Sequence, residues 1–261
     1  MPRFAANLSM LFTEQPFLAR FGAARAAGFE AVEFLFPYAF ETADIADQLQ
    51  AHRLQLVLHN LPAGDWDAGE RGLACHPLRV AEFRAGVAQA IGVAKALGVR
   101  QLNCLVGKTP ADEDPALVHQ TLVSNLRHAA DALALHDLRL LIEPINDIDI
   151  PGFHLTHSAQ ALALMDEVGR PNLALQYDLY HMQRMEGELS ATIARLLPRI
   201  GHVQVADNPG RNEPGTGELN WPFLFRHLDA VGYTGWIGCE YRPAGRTEDG
   251  LGWRERLGAV S

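Results

Sequence analysis

The stretch Leu140–Asn146 reads LLIEPIN and gives the strongest indication of the fold. It begins as a buried β-strand, meets a glutamate at Glu143, and stops at Pro144, which cannot donate to a strand ladder. A carboxylate in such an apolar setting needs a hydrogen-bonding partner, a bound metal or a shifted pKa. The stretch therefore predicts a strand that ends in a functional carboxylate, and other strands of the chain repeat the pattern.

Short β-like runs alternate with amphipathic helical patterns along the chain. The eight strand-like runs are Arg3–Met10, Phe29–Phe36, Leu54–Asn60, Arg100–Gly107, Arg139–Ile145, Asn172–Tyr180, Ile200–Asn208 and Gly235–Tyr241. The helical segments are Phe17–Ala27, Thr42–His52, Pro77–Leu97, Pro115–His136, Ser158–Val168, Glu188–Pro198 and Trp221–Val231, with Thr247–Leu257 as the eighth. Strict alternation predicts parallel strands joined by right-handed crossovers.

Eight such units predict an α/β protein with a closed (β/α)8 TIM barrel, which we expect to form a single domain over residues 1–261. A doubly wound open sheet is the alternative. It usually has fewer repeats and a glycine-rich first turn, and the first run here leads into LSMLFTEQPF, which has no such turn.

Composition excludes several classes of protein. The chain is 48% hydrophobic, yet it has no apolar run of membrane-spanning length and no signal-peptide pattern, so we expect a cytoplasmic protein without a membrane partner. A net charge of -9 and the lack of a basic run argue against a nucleic-acid partner. The three cysteines are scattered and odd in number, so no disulfide framework is expected. A homo-oligomer is compatible with this sequence.

Four predicted strands carry a polar residue near the C-terminal end. These residues are Glu143, Asp178, Gln204 and Glu240. Side chains alternate across a strand, and the apolar neighbours of each residue suit the helix layer, so all four are expected to face the barrel interior. The C-terminal ends of barrel strands form the active sites of TIM-barrel enzymes. The pattern therefore predicts that these four side chains converge at one rim.

Three carboxylates at one rim repel each other unless positive charge lies among them. Oxygen donors with one amide carbonyl favour a divalent metal, Mg2+ or Mn2+, whereas zinc usually takes more His or Cys. The alternative is that each carboxylate pairs separately with an Arg or Lys, or caps the following loop.

Further candidates lie near the same rim, and each has an ordinary structural alternative. His181 follows Asp178 in DLYH and either donates to a substrate oxygen or caps the loop. Lys108 and Arg211 either neutralise a substrate carboxylate or are solvated loop charges. His59 either supports the site from behind or is a satisfied loop histidine.

Several stretches resemble the hydroxypyruvate isomerase family of the xylose-isomerase-like TIM barrels. They are RFAANLSMLFTEQPF, AGFEAVEFLFPY, LIEPIN, YDLYHMQ, VQVADNPGRNEPGTGELNW and GCEYRP. The resemblance implies metal ligands at Glu143, Asp178, Gln204 and Glu240. It also implies a catalytic pair formed by Glu143 and Glu240. The motifs do not separate hydroxypyruvate isomerases from 2-oxo-tetronate isomerases.

The expected reaction moves a carbonyl between adjacent carbons of a small hydroxy or keto acid through an enediolate, with the two glutamates as acid and base. Three alternatives remain open. Ketose 3-epimerases use a similar site but carry a His where Gln204 stands. Metal-dependent cleavage at abasic DNA needs further His ligands and a basic groove. A non-enzymatic barrel that binds a sugar acid would show the same rim without turnover.

Overall fold

The computed structural model describes residues 2–258, and in this part of the chain eight parallel strands form a closed barrel in sequence order. The strands are β1 (Arg3–Asn7), β2 (Ala31–Glu33), β3 (Gln55–Asn60), β4 (Gln101–Cys104), β5 (Arg139–Ile142), β6 (Leu173–Asp178), β7 (Ile200–Val205) and β8 (Trp236–Cys239). Pairing of β1 with β8 closes the barrel. The predicted (β/α)8 barrel and its eight strands are confirmed.

Most strands end earlier than predicted. The run from Arg139 to Ile145 stops at Ile142 because Pro144 lacks the N–H that a ladder needs. The run that was expected to reach Tyr180 stops at Asp178, whose carboxylate accepts a hydrogen bond from the Tyr180 N–H (2.7 Å) and starts a short helix. This helix was not predicted.

The helices are α1 (Arg20–Ala26), α2 (Thr42–His52), α3 (Val80–Leu97), α4 (Pro115–Ala134), α5 (Ser158–Val168), α6 (Leu179–Met185), α7 (Leu189–Leu196), α8 (Trp221–Ala230) and α9 (Thr247–Gly250). The predicted eighth segment, 247–257, is a single turn followed by a π-helical turn at Arg254–Gly258. Gly250 ends the first turn and Gly252 lies between the two, and both glycines disfavour a continuous helix. None of the helices within residues 2–258 is long and apolar enough to cross a membrane.

Two apolar layers lie on opposite sides of the strands. Leu140 and Ile142 of β5 belong to the large core between barrel and helices, whereas Leu141 belongs to a small interior cluster. That cluster contains Ala5, Ala31, Val57, Leu58 and Leu141 and packs against Ala174 and Trp236. It fills the lower part of the barrel, so the polar residues of the strands lie above it, toward the C-terminal rim.

Candidate active site

The four predicted rim residues are buried at the C-terminal side of their strands. Glu143 follows β5 directly, Asp178 ends β6, Gln204 is near the end of β7, and Glu240 follows β8 directly. Their exposed fractions are 3%, 0%, 1% and 5%, respectively. Because Leu140 and Ile142 face the helices, alternation along β5 turns Glu143 inward, as the sequence predicted.

Glu143 keeps one carboxylate oxygen without a hydrogen bond. Its Oε2 accepts from Asn103 Nδ2 and from Gln176 Nε2, both at 2.9 Å, while the buried Oε1 has no hydrogen-bonding partner. Burial, together with the negative charges of Glu240 and Asp178, raises the pKa of Glu143 well above its ordinary value. A buried oxygen with a free lone pair in this setting is suited to bind a cation or a proton.

Asp178 also presents a buried oxygen to the rim. Its Oδ1 caps α6 by accepting from the backbone N–H groups of Tyr180 (2.7 Å) and His181 (3.4 Å). Its Oδ2 has no hydrogen-bonding partner. Burial raises the pKa of Asp178 to about 6, although Arg211 and the two capping N–H groups act against this shift.

Glu240 lies next to an arginine. Arg211 Nη2 is 3.5 Å from Glu240 Oε2, and the guanidinium also stacks over the Tyr180 ring at 5.3 Å. Burial raises the pKa of Glu240 to about 8 despite this positive neighbour. Burial alone would lower the pKa of Arg211, but the charges of the rim carboxylates, Glu240 first, hold it above its ordinary value. The pairing of a rim carboxylate with an arginine, foreseen as the alternative to a metal, therefore occurs at Glu240.

Asp207 shapes the loop that carries Arg211. The buried Asp207 carboxylate accepts four hydrogen bonds, from the backbone N–H groups of Asn208 (2.9 Å), Gly215 (2.7 Å) and Leu219 (3.2 Å) and from Trp221 Nε1 (2.8 Å). Gly217 is required at its position because a Cβ there would overlap the Asn208 carbonyl. This compact loop brings Arg211 over the rim.

His181, in the first turn of α6, faces the same rim. Its Nε2 is 3.8 Å from Asp178 Oδ2 and 3.4 Å from Arg211 Nη2, while its Nδ1 is 2.6 Å from Asn146 Nδ2. Burial, with the charges of Arg211 and Arg184, lowers the pKa of His181 well below its ordinary value. His181 is therefore neutral at physiological pH.

A polar layer lies beneath the rim, and its central residue is not among the predicted site residues. Glu33 of β2 is fully buried and accepts from Gln204 Nε2 (2.7 Å) and Asn7 Nδ2 (3.0 Å), and its other oxygen is 2.7 Å from His202 Nε2. Gln204 Oε1 accepts from Gln176 Nε2 at 2.6 Å. The signal was present, since Glu33 interrupts the apolar run FEAVEFLF as Glu143 interrupts its own strand.

Two predicted substrate-binding residues are not brought to this site. Lys108 is exposed and forms an isolated bridge with Phe153. His59 is fully buried in β3, with its ring parallel to that of Phe34 at 6.4 Å, and burial lowers its pKa to about 4. Neither residue lines the cavity above the rim.

That cavity has a volume of about 500 Å3. Its polar lining includes Glu143, Glu240, His181, Arg211, Asn60 and Arg242. Its apolar lining includes Met10, Leu35, Trp66, Leu105, Ile145 and Ile150. A concave site with convergent polar groups and apolar walls is typical of small-molecule pockets.

The rim residues fit a divalent metal ion. Carboxylate oxygens of Glu143 and Asp178 lie within 4.8 Å of each other, and one oxygen of each carboxylate has no hydrogen-bonding partner. Glu240 and the amide oxygen of Gln204 add oxygen donors from the next two strands. A donor set dominated by carboxylate oxygens suits Mg2+ or Mn2+ better than zinc.

Comparison with known proteins agrees with the barrel fold. The model of the xylose isomerase-like TIM barrel family matches residues 21–257, so the chain belongs to that family. It is 57% identical to a hydroxypyruvate isomerase of Escherichia coli (strain K12), over 98% of this chain and 99% of that protein. It is 48% identical to a 2-oxo-tetronate isomerase of Cupriavidus necator, over 97% of each. Within the barrel family the chain is thus an isomerase of the hydroxypyruvate isomerase family, and the resemblance is confirmed.

A solved structure shares both fold and sequence with this chain. The crystal structure described as an AP endonuclease of family 2 from Brucella melitensis aligns with a TM-score of 0.95 and 49% identity, over 98% of this chain and 99% of that one. The description of this relative names a different activity from those of the two isomerases.

Proposed function

We propose that this protein interconverts hydroxypyruvate and tartronate semialdehyde with the help of a bound Mg2+ or Mn2+ ion. The observation that carries the proposal is the pair Glu143 and Glu240, two buried carboxylates from β5 and β8 that line one cavity together with Arg211. A substrate between two such groups can lose a proton on one side and regain it on the other.

The proposed reaction balances as two proton shifts. One glutamate removes a proton from the hydroxymethyl carbon of hydroxypyruvate, which leaves an enediolate across that carbon and the former ketone carbon. The other glutamate delivers a proton to the former ketone carbon. The hydroxyl proton passes to the neighbouring oxygen, so the product carries an aldehyde and a secondary alcohol.

Residues around the pair would hold the substrate. Arg211 is the cation nearest to Glu240 among the lining groups and would bind the substrate carboxylate. Neutral His181 would contact a substrate oxygen from α6. The apolar wall, including Trp66 and Ile145, would keep water from the intermediate.

Glu143, Asp178, Gln204 and Glu240 would hold the metal. When bound, a divalent ion would offset the charge that develops on the two substrate oxygens as the proton leaves carbon. The unpartnered oxygens Glu143 Oε1 and Asp178 Oδ2 support this assignment.

A second candidate is 2-oxo-tetronate isomerisation, the same carbonyl shift on a four-carbon acid. The relative of Cupriavidus necator that is 48% identical to this chain is a 2-oxo-tetronate isomerase, and the cavity of about 500 Å3 has room for either acid. Ketose epimerisation is less favoured because Gln204 stands where those enzymes carry a His. DNA cleavage is less favoured because the chain carries a net charge of -9.

A substrate panel tests the proposal. Purified protein is assayed with hydroxypyruvate, 2-oxo-tetronate, free ketoses and abasic DNA, with Mg2+ or Mn2+ and with chelator. We expect turnover of a keto acid that chelator abolishes. Turnover of ketoses or DNA alone, or full activity in chelator, would contradict the proposal.

The glutamate pair is tested with Glu143→Gln and Glu240→Gln, followed by hydrogen exchange between substrate and deuterated water. Each variant should lose at least about 100-fold in kcat, because a positioned acid or base contributes 10²–10⁴-fold. Glu167→Gln is the matched control, since Glu167 lies on α5 and its side chain is 48% exposed. Normal turnover in Glu240→Gln would reject the assignment.

A further inference from the structure

We propose that Asn146 is a positioning residue that holds His181 as the tautomer with its proton on Nε2, so that His181 acts as a hydrogen-bond donor in the cavity and not as a metal ligand. The tautomer itself is independent of the substrate. His181 Nε2 would donate its hydrogen bond to a substrate, and only the identification of this acceptor as an oxygen of the keto acid rests on the proposed function.

Both groups that contact the Nδ1 atom of His181 are donors. Asn146 Nδ2 lies at 2.6 Å, and the backbone N–H of the same residue lies at 3.4 Å. A ring nitrogen that accepts hydrogen bonds cannot carry a proton, and a backbone N–H cannot exchange its role. In the neutral ring the proton is therefore on Nε2.

Asp149 fixes the direction of the Asn146 side chain. Asn146 Oδ1 accepts from the Asp149 backbone N–H at 2.8 Å, and Asn146 Nδ2 donates to Asp149 Oδ2 at 3.2 Å. If the Asn146 amide were reversed, its oxygen would face Asp149 Oδ2 and its NH2 group would face the Asp149 backbone N–H, so neither hydrogen bond could form. The Asp149 carboxylate is itself held by Tyr180 Oη (2.7 Å) and by Arg184 (3.3 Å).

The other side of the ring faces the cavity. Nε2 lies 3.8 Å from the unpartnered Asp178 Oδ2, which is too far for a hydrogen bond, but the negative charge of this carboxylate favours a proton on Nε2. Arg211 Nη2, at 3.4 Å, offers only donors, and this contact is much longer than the one at Nδ1. The closer contact decides the tautomer, and an Nε2 that carries a proton has no lone pair for a metal.

Two residues of one short sequence stretch contribute to this arrangement. LIEPIN supplies Glu143 to the rim and, three residues later, Asn146 to the histidine of the next βα unit. One loop therefore sets both a carboxylate and the orientation of the donor beside it.

Nitrogen-15 NMR of protein with labelled histidine tests the tautomer directly, and His181→Gln identifies the signal among the 11 histidines. We expect a pyridine-type Nδ1 and a pyrrole-type Nε2 in the wild-type protein, both without metal and with Mg2+. A pyridine-type Nε2, or loss of the Nε2 proton when Mg2+ is added, would overturn the proposal. Absence of isomerase activity would not change these signals, so the two proposals fail separately.

Asn146→Asp gives the second test, because its carboxylate only accepts and favours a proton on Nδ1. The NMR pattern should reverse, and kcat should fall about 100-fold, as for loss of one donor to a developing oxyanion. The control is Asp147→Asn, an exposed neighbour in the same loop, which should leave both readouts unchanged. An unchanged tautomer in folded Asn146→Asp would refute the role of Asn146.

Discussion

The four hydrogen bonds of Asp207 make Asp207→Asn the most informative single change outside the rim. The amide keeps one oxygen but replaces the other with an NH2 group, so two of the four N–H donors lose their acceptor. The pairs at stake are Asn208 with Leu219 on one oxygen and Gly215 with Trp221 on the other. Hydrogen bonds to a charged group contribute about 1.5–3 kcal/mol each, so the loss of two lowers the free energy of unfolding by about 3–6 kcal/mol.

This loss corresponds to a Tm decrease of roughly 6–24 °C, at about 2–4 °C per kcal/mol for a chain of this size. Thermal unfolding followed by circular dichroism at fixed pH measures it. Asp112→Asn, on an exposed turn before α4, is the control and should not change Tm. Because the same loop carries Arg211, KM for the keto acid should rise as well. A Tm equal to that of the control would refute the account of the loop.

Three further changes test other parts of the site. Gly238→Ala would place a methyl group against both carboxylate oxygens of Glu33, so the free energy of unfolding should fall by about 1–3 kcal/mol. Urea denaturation measures this, and an unchanged midpoint would contradict the packing described for the polar layer. Arg211→Gln should raise KM at least about 10-fold with a smaller effect on kcat, since a buried charged contact contributes more than about 1.4 kcal/mol. Steady-state kinetics measures both constants. A large fall in kcat with an unchanged KM would show that the arginine serves only the chemical step. Metal-free protein should lose stability as pH rises from about 7 to about 8. The unfolded chain has already released the Glu240 proton near its ordinary pKa of 4.5, whereas the folded protein keeps it to about 8 and so binds more protons in this window. The window begins above the ordinary histidine pKa of 6.5 because His59 and His181, whose pKa values are lowered in the folded protein, make stability rise with pH below it. Urea midpoints at both pH values after treatment with chelator measure this, and a midpoint that rises with pH would contradict it.

Strand alternation made the barrel and the rim predictable from the sequence. Glu143 and Asp178 end apolar runs, and the two-residue period of a strand is enough to assign the side on which they lie. The closed barrel then brings distant strands together without further information. Glu33 was predictable from the same alternation, because it also interrupts an apolar run, in β2.

Contacts made by loops could not be predicted in this way. The position of Arg211 depends on four hydrogen bonds to Asp207, and no periodic pattern encodes these. Lys108 follows β4 in sequence as His181 follows β6, yet one side chain is exposed and the other is buried over the rim. The difference arises because Asp178 caps a helix directly after its strand, which turns His181 inward.

The central claim is that one divalent ion is held by Glu143, Asp178, Gln204 and Glu240. Anomalous diffraction from crystals soaked in Mn2+ tests it most directly. We predict a single strong peak within bonding distance of oxygen atoms from these four side chains, with His181 Nε2 outside the coordination sphere. A peak elsewhere, or no peak at a Mn2+ concentration that supports turnover, would contradict the account.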